Sequence, residues 1–302
     1  MTRCRYFARL GAVAAALLAS CATYTPIRTH FNQGVRLYEE ENWAGAAREY
    51  RLALEEDPCD HRARFNLAVT LEEMGRTDLA RAEYEWIIAN RPGDLRASAN
   101  LAAIEIEEGN KEAGYARLQA LVDRYETMAM PRVALASHYV RDGRTEEALV
   151  LVRQALEIDS SDIEANFLLG RILEERSDFP GARAAYEKSL ANAPNDVASL
   201  LALGRVERAT GKPDLARSYY RRAAGRNRNS LEAHRALAQM AEESGSLEEA
   251  VRHLWEVRRL EKEPSSQTWS DLLRLYEALA RQAQEGVGRD GQPPPTALPP
   301  VK

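Results

Sequence analysis

The sequence predicts an all-α chain, a right-handed α-solenoid of seven helix hairpins closed by a C-terminal capping helix. Three observations carry this reading. Ala, Leu, Glu and Arg dominate, and only 7% of the 302 residues are aromatic, a composition suited to many moderately long helices. A pattern beginning at Ile27 recurs every 34 residues without insertion, at 61, 95, 129, 163, 197 and 231, a period that marks an array of stacked units. Within each unit a small residue is followed four positions later by a large one, so both lie on one helical face. The 46 acidic and 41 basic residues, net charge -5, are mixed along the whole length. Without a block of one sign there is no dedicated nucleic-acid surface.

The first 26 residues read as a targeting segment and a tether. Residues 1–20 carry Arg3, Arg5 and Arg9 and then the apolar run Leu10–Ala19, too short to span a bilayer comfortably and typical of a secretory signal. Leu18-Ala19-Ser20-Cys21 resembles the lipobox of bacterial lipoproteins. That resemblance implies cleavage before Cys21, acylation of its thiol and a place in a bacterial cell envelope. Residues 21–26 would then form a lipidated tether reaching about 20 Å at full extension. Ala22 lacks the Asp that in enteric bacteria retains lipoproteins at the inner membrane, so an outer-membrane anchor facing the periplasm is expected if the source has two membranes. With Cys4 removed and Cys21 lipidated, Cys59 is expected as the one remaining free thiol, exposed after Pro58.

The body, residues 27–264, divides into units 27–60, 61–94, 95–128, 129–162, 163–196, 197–230 and 231–264. One column is small throughout, with Ala46, Ala80, Gly114, Ala148, Ala182, Ala216 and Ala250 where paired helices approach. A second holds Leu67, Leu101, Leu135, Leu169, Leu203 and Leu237, with Gln33 in the first unit. Gly75, Gly109, Gly143, Gly211 and Gly245 form a third, at the hairpin turns, where a helix stop takes a left-handed residue; Glu41 and Ser177 replace it elsewhere. Tyr50, Tyr84, Leu118, Val152, Tyr186, Tyr220 and Leu254 follow the small column by four. Pro58, Pro92 and Pro194 close units, and Pro131, Pro180 and Pro213 fall where helices start. These columns resemble the tetratricopeptide repeat (TPR), with its Leu-Gly pair, small residue, aromatic and terminal Pro; Gly34, Gly170 and Gly204 keep the Gly of that pair.

A hairpin cannot bury its apolar face alone, so the last one needs a cover. Residues 265–285 are read as the capping helix, with Trp269, Leu272, Leu273, Tyr276 and Leu279 at three- and four-residue spacing. Residues 286–302, rich in Pro, are read as a disordered, partly polyproline tail.

No catalytic constellation is found. His30, His61, His138, His234 and His253 are assigned to different units with no i, i+4 pair, so neither a metal nor a histidine acid–base site is expected. There is no phosphate loop, dinucleotide turn or nucleophile elbow, so no cofactor, no small-molecule substrate and no enzymatic activity are expected. What a TPR array offers instead is a groove lined by the first helix of each hairpin. Asn32, Asn66 and Asn100 recur there at the full period, each four residues after Arg28, Arg62 or Arg96, with Phe31 and Phe65 beside the first two. The family resemblance implies that such Asn residues hydrogen-bond an extended peptide's backbone while the basic neighbours receive carboxylates. Asn there is also part of the repeat's own consensus and could bond only to a neighbouring helix. Arg171, Arg205 and Arg208 are secondary groove candidates. The leading expectation is therefore a membrane-anchored scaffold or adaptor that binds peptide segments of other envelope proteins. The alternative is a structural component of a pilus, secretion or polysaccharide-export assembly.

Overall fold

The computed structural model describes residues 29–261 and 265–290. The signal segment 1–20, Cys21 with its tether, Arg28 and residues 291–302 of the tail lie outside the described residues.

Fifteen helices and no strand are present among the described residues. Three pack as hairpins in the first part of the chain, α1 (Thr29–Glu39) with α2 (Trp43–Glu56), α3 (His61–Glu73) with α4 (Thr77–Asn90) and α5 (Leu95–Glu107) with α6 (Lys111–Arg124); α7 (Ala129–Arg141) and α8 (Thr145–Ile158) follow in sequence. The series continues with α9 (Ile163–Glu175) and α10 (Phe179–Asn192), α11 (Val197–Ala209) and α12 (Pro213–Arg226), α13 (Leu231–Glu243) and α14 (Leu247–Leu260), and ends in the single helix α15 (Ser266–Asp290). From α3 onward each first helix begins where a sequence unit begins, and successive second helices also start 34 residues apart.

Local chemistry sets these boundaries. Asp60, Asp94, Asp162, Asp196 and Ser230 stand one residue before a first helix, and each side chain accepts from a backbone N–H two or three residues on, satisfying a donor the helix leaves unpaired. Every hairpin turn carries one left-handed residue. Five are glycines, with φ from 68° to 91°, and the other two are Glu41 and Ser177 at 58° and 61°. The two substitutions in the glycine column thus keep the turn geometry at the cost of a strained side-chain-bearing residue.

The chain divides into two compact units, residues 1–138 and 139–302. In the first, α2 packs on α3 and α4 on α5, around Ala46, Tyr50, Leu67, Ala80, Tyr84, Ile87, Leu101 and Ile104. In the second, α8 meets α9, α10 meets α11, α12 meets α13 and α15 covers α14. The six alanines of the small column are 0% exposed. At Gly114 even a methyl group has no room, because an added Cβ would lie 2.5 Å from Ile106 Cγ1 and 2.6 Å from the Ala102 carbonyl oxygen. The glycines of the Leu-Gly pair answer to the tyrosines: a Cβ on Gly34, Gly170 or Gly204 would come within 2.6 Å of the Tyr50, Tyr186 or Tyr220 ring. Leu169 alone in the leucine column is half-buried; the others are buried.

Three expectations are corrected. α15 runs to Asp290, five residues past the expected end of the capping helix; Gly286 and Gly288 only weaken a helix, and the first residue that cannot continue one is Pro293. Cys59, expected as a free thiol, is disulfide-bonded, with its partner outside the described residues. That expectation rested on removal of Cys4 and lipidation of Cys21, and the full chain carries both. Finally, His234 and His253 belong to the same hairpin, α13–α14, which folds them together with their Nδ1 atoms 3.1 Å apart. No described helix is long and apolar enough to cross a membrane.

Candidate functional site

The Arg/Asn ladder lies on the first helices α1, α3 and α5, all within the first compact unit. Its members interlock with the preceding hairpin. Asn66 Nδ2 donates to the Tyr50 hydroxyl at 3.4 Å, and Asn100 Nδ2 donates to the Tyr84 hydroxyl at 2.8 Å. Each tyrosine is tilted against the phenylalanine of its own hairpin, Phe31 against Tyr50 at 6.0 Å and Phe65 against Tyr84 at 5.7 Å. Over those phenylalanines sit the arginines of the following hairpin, Arg62 at 5.6 Å from the Phe31 ring and Arg96 at 4.6 Å from the Phe65 ring. One repeated motif, Phe and Tyr from one hairpin and Arg and Asn from the next, therefore joins consecutive units.

This arrangement divides the ladder's polar groups between structure and solvent. The amide nitrogens of Asn66 and Asn100 serve the inter-hairpin bond, while their carbonyl oxygens have no protein partner among the described residues. Arg62 and Arg96 are exposed, and their only contact there is the aromatic face below, worth about 0.5–1 kcal/mol at such a site. Neither faces a carboxylate among the described residues, which leaves the donors of both guanidinium forks to a ligand there. Asn32 is exposed, and no hairpin precedes α1 among the described residues. Behind the ladder, the Tyr84 hydroxyl also donates to Glu72. Burial pushes the Glu72 carboxyl up from its ordinary value, and the bond from Tyr84 opposes that shift.

The secondary candidates in the other unit are differently placed. Arg205 donates to Glu174 at 3.1 Å and to Glu232 at 2.7 Å, and Arg208 to Gln239 at 2.8 Å and Glu243 at 2.6 Å. Both spend their charge within the fold: Arg205 joins α11 to α9 and α13, and Arg208 joins it to α13. Arg171 is half-buried and has no carboxylate partner among the described residues. The column that is Arg28, Arg62 and Arg96 in the first units becomes Met130, Glu164, Ala198 and Glu232 in the later ones.

Two features were not visible in the sequence. The tyrosine column reads as apolar knobs, yet Tyr50 and Tyr84 use their hydroxyls to receive the Asn side chains, which only the juxtaposition of separate hairpins reveals. A cleft of about 600 Å³ opens between α13, α14 and α15, floored by Ala238, Leu254 and Val257. Its rim charges are paired internally, Arg235 with Glu261 at 2.5 Å and Arg274 with Glu242 and Asp271. Among the described residues no group of three or more His, Cys, Asp or Glu side chains is arranged to hold a metal.

Two models described as tetratricopeptide repeat match the sequence, one over residues 133–197 and 201–255 and another over 49–82, together about half of the chain. The chain belongs to the tetratricopeptide repeat family. Solved TPR structures are similar in fold. A tetratricopeptide repeat protein from Parabacteroides merdae aligns with a TM-score of 0.53 at 12% identity, over 82% of this chain and 97% of its own. The APC/C hetero-tetramer Cut9-Hcn1 aligns with a TM-score of 0.61 at 13% identity, over 88% of this chain and 59% of that one. At such identities the likeness shows the fold alone. A search of curated proteins finds no match to the sequence. The TPR fold is that of a protein–protein interaction scaffold, and its members are generally not catalysts.

Proposed function

We propose that this TPR chain is a lipid-anchored adaptor of a bacterial envelope, held through Cys21 on the periplasmic side of the outer membrane. It binds extended, carboxylate-bearing segments of partner proteins along α1, α3 and α5. The observation that supports the binding reading is the pair of exposed guanidiniums, Arg62 and Arg96, one repeat apart and each seated on a phenylalanine with no carboxylate partner among the described residues. Arg205 and Arg208, already neutralised by the fold, show what such a residue looks like when its role is structural. The free carbonyl oxygens of Asn66 and Asn100 sit four residues on and can accept from a peptide N–H.

Arg62→Ala/Arg96→Ala is the cleaner test, because Asn66 and Asn100 also hold hairpins together. Charge-assisted hydrogen bonds contribute about 1.5–3 kcal/mol each, so the double variant is expected to weaken captured envelope partners at least about tenfold with unchanged helicity by circular dichroism. Equal capture by wild type and variant refutes the binding reading. The anchor is tested separately: Cys21→Ser is expected to leave an unprocessed precursor or release the protein to the soluble fraction, and mature-sized, membrane-bound protein refutes it.

A further inference from the structure

Three phenylalanines hold the same place in their repeats, Phe31 on α1, Phe65 on α3 and Phe167 on α9. Each is half-buried and tilted against a tyrosine of its own hairpin. Phe167 meets Tyr186 at 5.5 Å and 51°, close to the 6.0 Å and 58° of Phe31 on Tyr50 and the 5.7 Å and 59° of Phe65 on Tyr84. Over the first two rings lie Arg62 and Arg96, each 31 positions after its phenylalanine. The residue 31 positions after Phe167 is Ala198, exposed on α11 and too short to cover the ring. Among the described residues no cation stacks on Phe167, and its one ring contact is Tyr186.

The charges around that ring are also reversed. The column that is Arg62 and Arg96 in the early repeats reads Glu164, Ala198 and Glu232 here, so a carboxylate stands one repeat to either side of Ala198. Glu232 is engaged by Arg205 at 2.7 Å. Glu164 has neither a hydrogen bond nor an ion pair among the described residues. It lies three residues before Phe167 on α9, and residues so spaced are neighbours on a helix surface. Although Glu164 is exposed, desolvation first and the Asp162 carboxylate second raise its carboxyl from its ordinary value; a cation beside it would favour the charged form. The cation on the other side is Arg171, four residues past Phe167; it does not stack on the ring, and its charge acts on the Tyr186 hydroxyl instead. A ring face that attracts cations and an unpaired carboxylate that can accept a charge-assisted hydrogen bond are thus neighbours on α9.

We propose that Phe167 and Glu164, with the surface over Ala198, form a docking site for a basic side chain, Arg or Lys, of a partner protein. The partner's cation takes the place over Phe167 that Arg62 and Arg96 take over Phe31 and Phe65 within the chain. The site is the counterpart in charge of the Arg/Asn ladder and does not rest on it, since its residues all lie in the second compact unit. The probe is a seven-residue Gly/Ser peptide with one central Arg, acetylated and amidated so that the guanidinium is its only charge. Its control carries citrulline, the uncharged isostere, and binding to the full chain in mild detergent is followed by saturation-transfer NMR. The Arg peptide is expected to bind at least about fivefold more tightly than the citrulline peptide. Ala198→Arg covers the ring from within the chain, as the early repeats do, and is expected to weaken the Arg peptide at least about fivefold with unchanged melting, because position 198 is exposed. Glu164→Gln is expected to weaken it by a similar factor. Ala191→Arg, exposed on the second helix α10 and adding the same charge, is expected to bind as wild type does, as is Arg62→Ala/Arg96→Ala, which separates this site from the ladder. Absence of binding by wild type, equal binding of the two peptides, undiminished binding by Ala198→Arg or Glu164→Gln, or an equal loss in Ala191→Arg overturns the proposal.

Discussion

Adding one methyl group at Gly114 sets two opposed effects against each other. Gly→Ala in a helix interior gains about 0.8–1 kcal/mol of helix propensity. At Gly114, however, the new Cβ would stand 2.5 Å from Ile106 Cγ1 and 2.6 Å from the Ala102 carbonyl oxygen, nearly an ångström inside ordinary contact. One of those atoms is backbone of α5, so relief requires α5 and α6 to separate. Overpacking of this kind costs about 1–3 kcal/mol, and more when backbone must move. Gly114→Ala is therefore expected to destabilise by about 1–2 kcal/mol net. Gly225 is the matched control: it lies in α12 with nothing within 4 Å of an added Cβ, so Gly225→Ala is expected to stabilise by up to about 1 kcal/mol. Urea unfolding followed by circular dichroism, with hydrogen exchange to localise the effect to α5–α6 or α11–α12, reads both. Gly114→Ala shifting stability upward, as Gly225→Ala should, would refute the close approach of the two helices.

Ser177→Gly is expected to stabilise by about 0.5–1 kcal/mol, because φ at Ser177 is 61° and glycine adopts that region without a Cβ penalty; a loss of stability in the same urea assay counts against a left-handed turn. Glu207 is 2% exposed and receives Arg183 Nη2 at 2.8 Å, so Arg183→Ala is expected to cost about 2 kcal/mol or more by leaving a buried carboxylate with only Lys212 at 3.7 Å; a neutral melting shift would show that the pair is dispensable. The two histidine pairs should respond to pH with opposite signs. The bond to Glu49 raises His30 above 6.5, so its contribution is full below about 6.5 and lost as pH rises through the folded value. Burial first, then His234, lowers His253 despite Glu249 nearby, with Arg252 and Arg221 adding to the depression; that hairpin is most stable with His253 neutral and weakens as pH falls below about 6.5. Hydrogen exchange, corrected for intrinsic rate, should show α1–α2 gaining and α13–α14 losing protection from about pH 7.5 to about 5.5, and a shared direction contradicts the assignment.

The array was legible because each repeat states its own packing rule. Ala46, Ala80 and Gly114 announce where helices touch, and the glycine column announces turns whose φ is positive in the structure. Even Glu41 and Ser177, which break that column, keep the conformation, since the flanking helices fix the turn more firmly than one side chain can alter it. Contacts between hairpins were less legible. Nothing in the spacing of Tyr50 and Asn66 says that one hydroxyl receives the other's amide, because the pair belongs to different units and the bond depends on how they stack. Arg205 and Arg208 read like Arg62 and Arg96 in sequence, yet the first two are paired with carboxylates and the last two with phenyl rings. The His234–His253 contact has no short-range signature, because the two lie 19 residues apart on the two helices of one hairpin.

The binding claim is tested most directly by placing a photoreactive side chain at Glu73, which is exposed near the end of α3 and falls about 20° around the helix from Arg62 at 100° per residue. A control probe goes at Glu85, exposed on the second helix α4 of the same hairpin. Irradiation of intact envelopes is expected to give partner adducts from position 73 that disappear in the Arg62→Ala/Arg96→Ala background, and none from position 85. Adducts from position 85 alone, or adducts at 73 that survive loss of both arginines, would contradict a peptide groove built on the Arg/Asn ladder.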